Sequence, residues 1–410
     1  MSQVFRIGKK IMAPFFLVCF SLLFLTSCST GKGAGSLYKQ AVKSMEKGDY
    51  ENAAVNFEEA ILKNPEKAEF YIGYGMCLIQ LEQYDKARIQ FDKAILEKEN
   101  KIVLENNKQA YRGQGLCDFY DNQYANAVKW FDKALSIQEL ESMNLDILNY
   151  KADALMYQGN YKEAVETLTK YIDKKKSDFR VYLKRANAYF KAQSYEESIG
   201  DYEKVLDLEG TNCEAYVGEY FVYLKMNQIE KADSVLDKAL AMKTKTDEDF
   251  YNLAVIQYYK EDYDTAIQGF EASKNKGFTE ADYYIGKIYE NKKEYDKAAE
   301  HFVSYLENTE LIESAAVYSA LAEVYLKTEQ YDLGLKAVQA GIELNDGSFI
   351  QQLLYNQITL YELLADYELA FEKANDYLEL YPEDEKMQRE LKFILTRRNN
   401  VQEESGDSNE

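Results

Sequence analysis

A tyrosine recurs along this chain at near-regular intervals: Tyr50, Tyr84, Tyr124, Tyr161, Tyr195, Tyr263, Tyr295, Tyr331 and Tyr367. Most gaps lie between 32 and 40 residues, and the one double gap has Ile229 at its midpoint. An alanine usually follows three residues later (Ala53, Ala87, Ala127, Ala164, Ala232, Ala266, Ala298, Ala370), and a large apolar residue comes four after that. A fixed period near 34 residues describes a stacked array of one supersecondary unit rather than a single globular core. Such an array grows along one axis, so a length of 410 residues does not require several independent domains.

Within each period the pattern reads as helix A, a tight turn, helix B and a connector. Setting the alanine at repeat position 20 starts the units near Ala34, Ala68, Lys108, Leu145, Phe179, Cys213, Asp247, Thr279, Ala315 and Gln351. Repeat positions 20, 24 and 27 are three and four apart and share one face of helix B. Small residues at positions 8 and 20 let the two helices approach closely, and the large residue at 24 fills the space beside them. The three prolines, Pro14, Pro65 and Pro382, are few enough for an almost wholly helical chain.

These residues resemble the tetratricopeptide repeat family, which places a small residue at position 8, an aromatic at 17, alanine at 20 and 27, and often proline at 32. Pro65 and Pro382 stand at position 32 of the first and last units. The resemblance implies an all-α, right-handed superhelical solenoid of about ten helix-turn-helix units over residues 37–382, with a capping helix at 383–398 and an acidic, disordered tail at 399–410. The cap is amphipathic through Met387, Leu391, Ile394 and Leu395, acidic at its start and basic at Arg397 and Arg398, as the helix dipole favours. Departures from the pattern fall at Leu168 and Tyr171, at Ser198, Tyr202 and Val205, and at Gly334 and Gly341, where helix B should be weakest. The period stretches around Leu96–Asn107 and Ser136–Asn144, the expected places for a hinge.

The first residues differ in kind. Arg6, Lys9 and Lys10 precede an uncharged apolar run from Ile11 to Leu25, too short to span a bilayer and suited to a secretory signal. Leu25-Thr26-Ser27-Cys28 resembles a bacterial lipobox. By that resemblance residues 1–27 are a lipoprotein signal peptide, Cys28 takes a diacylglycerol thioether and further acyl chains such as palmitate, and residues 28–36 are a flexible tether. The expected location is outside the cytoplasm, lipid-anchored to the cell membrane in a Gram-positive type of envelope, or to the outer membrane in a Gram-negative one. The Lys-, Tyr- and Asn-rich, proline-poor composition favours the former.

A net charge of −21 argues against nucleic acid, whose binding rests on neutralising phosphates. Solubility or basic partners are both compatible with it. Catalytic chemistry finds little support: His301 is the single histidine, no phosphate-binding glycine loop is present, and no Cys/His spacing fits a metal. No cofactor is expected. Cys77 and Cys117 share repeat position 10 and read as small buried hydrophobes.

The resemblance instead implies binding on a concave groove lined by helix A. Its groove positions fall here on Ile72, Met76 and Ile79; Arg112, Leu116, Phe119 and Tyr120; Asn149, Met156 and Tyr157; Arg180, Asn187 and Phe190; Phe221; and Tyr251 and Tyr258. Lys287, Glu290, Glu323 and Glu362 make the later units more polar. Apolar anchors with interspersed amide and guanidinium groups suit a peptide, a helix or a partner protein. Tight curvature burying these side chains against one another is the competing reading. A structural spacer or assembly subunit of a cell-envelope complex (secretion, pilus or cell-wall machinery) is the alternative function.

Overall fold

The computed structural model describes residues 33–308, 314–344 and 347–406. The signal peptide read at residues 1–27 and the lipidation residue Cys28 lie outside them. The described residues form α-helices, one short 3-10 turn and no strand. They divide at Gly210–Thr211 into two compact units.

The first unit contains α1 (Ala34–Glu46), α2 (Tyr50–Lys63), α3 (Ala68–Gln80), α4 (Tyr84–Ala94), α5 (Lys101–Tyr120), α6 (Tyr124–Ser136), α7 (Asn144–Tyr157), α8 (Tyr161–Lys174), α9 (Phe179–Lys191) and α10 (Tyr195–Leu208). The second contains α11 (Cys213–Lys225), α12 (Ile229–Leu240), α13 (Asp247–Tyr259), α14 (Tyr263–Lys274), α15 (Ala281–Asn291), α16 (Tyr295–Glu307), α17 (Ala315–Lys327), α18 (Tyr331–Glu343), α19 (Ile350–Leu363), α20 (Tyr367–Leu380) and α21 (Glu385–Gly406). Within each unit every helix packs on the next, and A helices also touch the A helix of the following hairpin, as α3 does α5 and α17 does α19.

The spaced tyrosines and Ile229 are the first residues of the B helices. Two residues before each, the chain turns left-handed: Gly48, Glu82, Asn122, Gly159, Gln193, Asn227, Glu261, Lys293, Glu329 and Ala365 all have positive φ. The turn closes with the hydrogen bonds of a Schellman motif, Gln83 N to Leu78 O at 2.8 Å and Glu82 N to Ile79 O at 3.0 Å being one case. Glycine occupies this position only at Gly48 and Gly159; most of the other side chains there carry the left-handed penalty.

Close packing between helices explains the small residues. The Phe91 ring, wholly buried, sits between Gly75 of its own hairpin and Gly113 of the next; a Cβ there would lie 2.7 Å and 2.4 Å from the ring. Gly115 against Phe131 and Gly286 against Phe302 repeat the arrangement at 2.5 Å and 2.6 Å. Gly334 and Gly341, expected to weaken α18, serve the same end: a Cβ at either would come within 2.9 Å of a leucine methyl of α19. Cys77 and Cys117 are fully buried, and burial pushes both thiols up to about 12, so they are packing groups.

Where the pattern departs, polar contacts replace it. Buried Ser198 donates to Ala186 O at 2.8 Å, Tyr202 donates to Asn187 Oδ1 at 2.6 Å, and Tyr171 to Asp178 Oδ2 at 3.0 Å. The stretched segments are pinned rather than loose. Asn107 bonds both the N–H and the C=O of Leu96, at 3.0 and 2.8 Å. Lys108, wholly buried, donates to Ile137 O and Glu139 O at 2.9 and 2.8 Å. The hinge expected there is therefore not favoured, since opening either segment would strand buried polar groups. The break between compact units falls instead at Gly210–Thr211. Two boundaries also shift: α1 begins at Ala34, inside the segment read as tether, and α21 continues to Gly406, into the segment read as tail.

Candidate functional site

In the first unit, the A-helix positions read as a groove form an aromatic cluster centred on Phe119. Its ring meets Tyr120, Tyr124, Tyr150 and Tyr157 edge-on, at centroid distances of 5.5, 5.7, 5.5 and 5.9 Å. Tyr124 stacks on Tyr157 at 4.7 Å, and Tyr84 on Tyr120 at 6.3 Å. Such edge-on and offset contacts are favourable in themselves, so Phe119 acts as an internal anchor. Tyr157, 44% exposed, is the member of this cluster most open to solvent.

Other predicted groove residues divide by environment. Ile72, Ile79 and Leu116 are buried in the core and cannot reach a ligand without repacking; Met76 packs against the same core. Arg112 is paired with Asp146. Asn149 accepts from Lys184 Nζ at 2.7 Å, and Asn187 is engaged by Tyr202. Met156 is half-buried, as is Phe190, which lies 6.0 Å from Tyr195. Arg180 is exposed over the Phe179 ring at 5.2 Å.

The second unit has its own aromatic cluster. Phe221 meets Tyr220 and Tyr259 at 5.2 and 5.4 Å, Tyr258 meets Tyr259 at 5.0 Å, and Tyr251 stacks on Phe278 at 5.1 Å. Burial pushes the Tyr258 hydroxyl up to about 12 and those of Tyr251 and Tyr259 well above the usual tyrosine range. These rings are neutral packing groups with polar tips. The competing reading, side chains buried against one another, therefore holds for much of both patches.

Three A helices of the second unit, α15, α17 and α19, with Lys293 and Tyr295, line an open cavity of about 700 Å³. Glu290, Lys293, Glu323, Lys327, Gln352 and Asn356 are among the residues lining it. Lys287 Nζ holds Glu290 at 2.5 Å. Glu323 is half-buried and makes no hydrogen bond or ion pair with the described residues; burial, aided by the charge of Glu290, raises its carboxyl above the ordinary range. Asn356, 4% exposed, accepts from Gln352 Nε2 at 2.9 Å through Oδ1, while its Nδ2 has no partner. Asn356 is not among the groove positions read from the sequence; its signal there is the amide pair Asn356-Gln357 in the largely apolar stretch Leu353 to Leu360.

His301 does not form a catalytic relay. Its Nδ1 lies 2.7 Å from Asp282 Oδ1, but the Ser304 hydroxyl donates to Asp282 Oδ2 at 3.0 Å rather than to the imidazole. A triad needs the histidine between the other two groups. Lys274 also donates to Asp282, at 2.6 Å. Burial pushes the Asp282 carboxyl up, but the bonds from His301 and Lys274 outweigh it, and the net effect is a lowered pKa. Asp282 is 3% exposed, which makes this a buried structural knot. No group of three or more His, Cys, Asp or Glu suited to a metal occurs among the described residues, and none of their helices is long and apolar enough to cross a membrane.

Two family models match the chain. A tetratricopeptide repeat model covers residues 44–102, and the model of anaphase-promoting complex, cyclosome, subunit 3 covers residues 121–205. Residues 44–102 thus match a tetratricopeptide repeat, and the helical hairpins that follow along the described residues repeat the same fold. Among solved structures, it is similar to a tetratricopeptide repeat protein from Parabacteroides merdae at 15% identity and a TM-score of 0.43, over 60% of this chain and 94% of that one. It is similar to yeast Tom70 at 15% identity and a TM-score of 0.42, over 90% and 89% of the two chains. For the Cut9–Hcn1 hetero-tetramer of the APC/C the values are 14%, 0.41, 88% and 90%. Likeness at this level transfers neither a partner nor a role.

Proposed function

We propose that the chain is a membrane-anchored, extracytoplasmic scaffold that holds a protein or peptide partner on its A-helix faces. The observation that carries the reading is the placement of side chains on those helices: aromatic clusters with Tyr157 outermost, an exposed Arg180 at the start of α9, and a separate polar cavity lined by α15, α17 and α19. Preorganised aromatic anchors with polar neighbours give affinity at small entropic cost. The anchoring half of the proposal rests on Leu25-Thr26-Ser27-Cys28 and the apolar run before it. The high negative charge suits a body held clear of an anionic lipid surface.

Two measurements test it. Cys28→Ala should move the protein from the membrane to the soluble fraction and end incorporation of labelled palmitate; unchanged partitioning would remove the anchor. Affinity capture with the intact lipoprotein should return a partner that Tyr157→Ala with Arg180→Ala loses while helical content stays. Phe119→Ala is unsuitable for this purpose because it opens a void inside the cluster. Cross-links concentrated on the B helices and α21, with capture indifferent to Tyr157, would favour the envelope spacer instead.

A further inference from the structure

The cavity between α15, α17 and α19 holds two polar groups that the fold leaves unmatched. Both cost free energy as they stand: a half-buried carboxylate with no direct ion pair, which the charges of Lys287 and Lys327 offset only in part, and a buried amide N–H with no acceptor. The neighbouring lysine charges act on the first, but burial outweighs them. Lys287 is ion-paired with Glu290, and Lys293 and Lys327, exposed side chains at the cavity's edge, make no ion pair with Glu323. The second belongs to the same amide that holds Gln352, an exposed side chain donating to Asn356 Oδ1 by one hydrogen bond. A ligand that displaces Gln352 frees that amide at the cost of a bond that water can replace.

We propose that this cavity binds an extended peptide segment carrying a lysine or arginine, whose side-chain cation pairs with Glu323 and whose backbone carbonyl accepts from Asn356 Nδ2. The inference rests on the scaffold reading and specifies the partner chemistry of one site within it. A single neutral acceptor would satisfy Asn356 and leave Glu323 unmatched; a free amine would do the reverse. A basic residue within a peptide supplies both groups on one chain. The cavity, about 700 Å³, is large enough for such a segment. An acidic segment is disfavoured because it would meet Glu323 and the chain's net charge of −21.

The test uses the full-length protein in detergent and fluorescein-labelled, acetylated and amidated pentapeptides, Ala-Ala-Xaa-Ala-Ala with Lys, Glu or Leu at the centre. Fluorescence anisotropy should show binding of the Lys peptide above the other two. Glu323→Gln and Asn356→Leu should each weaken it by about tenfold, the loss expected for one hydrogen bond involving a charge or for a buried donor–acceptor pair. Attraction to the overall negative charge would be unmoved by Asn356→Leu. Gln352→Ala should bind at least as well, since it frees the amide; a drop there would make Gln352 the ligand group and overturn the assignment. Equal binding of the three peptides, no binding of any, or indifference to both variants would also overturn it, with circular dichroism melting confirming that each variant is folded. If the peptides fail while Tyr157-dependent capture persists, the cavity assignment falls and the scaffold reading stands. If both fail, the scaffold reading falls too.

Discussion

On the A helices of the first unit Arg112, Lys184 and Arg185 find partners inside the fold, in Asp146, Asp153 and Asp201, while Arg180 stays exposed. On α15, α17 and α19 of the second unit, Glu323 and the Asn356 amide N–H find no such partner. Both regions are built from the same hairpin, with a left-handed turn residue two before helix B and buried apolar side chains between the helices. The backbone template is therefore indifferent to what the face displays. Stability comes from the A–B seam, and the A-helix face is left free to carry groups that are satisfied internally or left unmatched.

That separation can be broken most forcefully at the seam. Phe91→Ala removes a fully buried ring clamped between Gly75 and Gly113 and should cost about 3–5 kcal/mol, read as loss of urea resistance. Glu323→Gln on the second unit's face should leave the same curve in place. If Phe91→Ala is tolerated, or Glu323→Gln unfolds the chain, the separation of seam from face is wrong. A smaller loss, about 1–3 kcal/mol, is expected for Gly113→Ala, whose Cβ would sit 2.4 Å from the Phe91 ring.

A pH series sharpens the contrast at the end of the second unit. Burial, with the charge of Glu390 and a hydrogen bond to it, raises the Glu362 carboxyl to about 8. A raised folded-state pKa means that stability is fully present below the ordinary carboxylate range and is lost as pH rises through about 8. Lys386, whose Nζ lies 4.3 Å above the Tyr355 ring, is close enough to moderate Glu390. Between pH 5 and pH 9 the protection of α21 amides, taken relative to their intrinsic exchange rate, should therefore fall, and Glu362→Gln should flatten that dependence. Equal exchange in both proteins across this range would show that the pair does not hold the cap.

The smallest effect concerns the shared turn. Ala365 has φ of +58°, so Ala365→Gly should stabilise by about 0.5–1 kcal/mol despite the greater freedom that glycine gives the unfolded chain. Gly159→Ala, at φ +75°, should destabilise by a similar amount. Thermal melts of the two variants should move in opposite directions.

The sequence by itself determined the all-helical class, the register of the hairpins and most of the seam. Those properties follow from local rules, namely a period, a turn and the spacing of small and large residues, and the tyrosine ruler marks the start of the B helices it predicted. Pattern could not say which side chains satisfy one another across hairpins. Asn187 reads as a groove amide until Tyr202 is seen to occupy it, and Ile72, Ile79 and Leu116 read as groove anchors until their burial is measured. Asn356 shows the converse: it stands in a largely apolar stretch, and only the packing of α15, α17 and α19 reveals an amide N–H left over beside a cavity. Hydrogen bonds and ion pairs between residues some thirty positions apart depend on ångström-scale approach of two helices, which sequence period fixes only to the nearest turn.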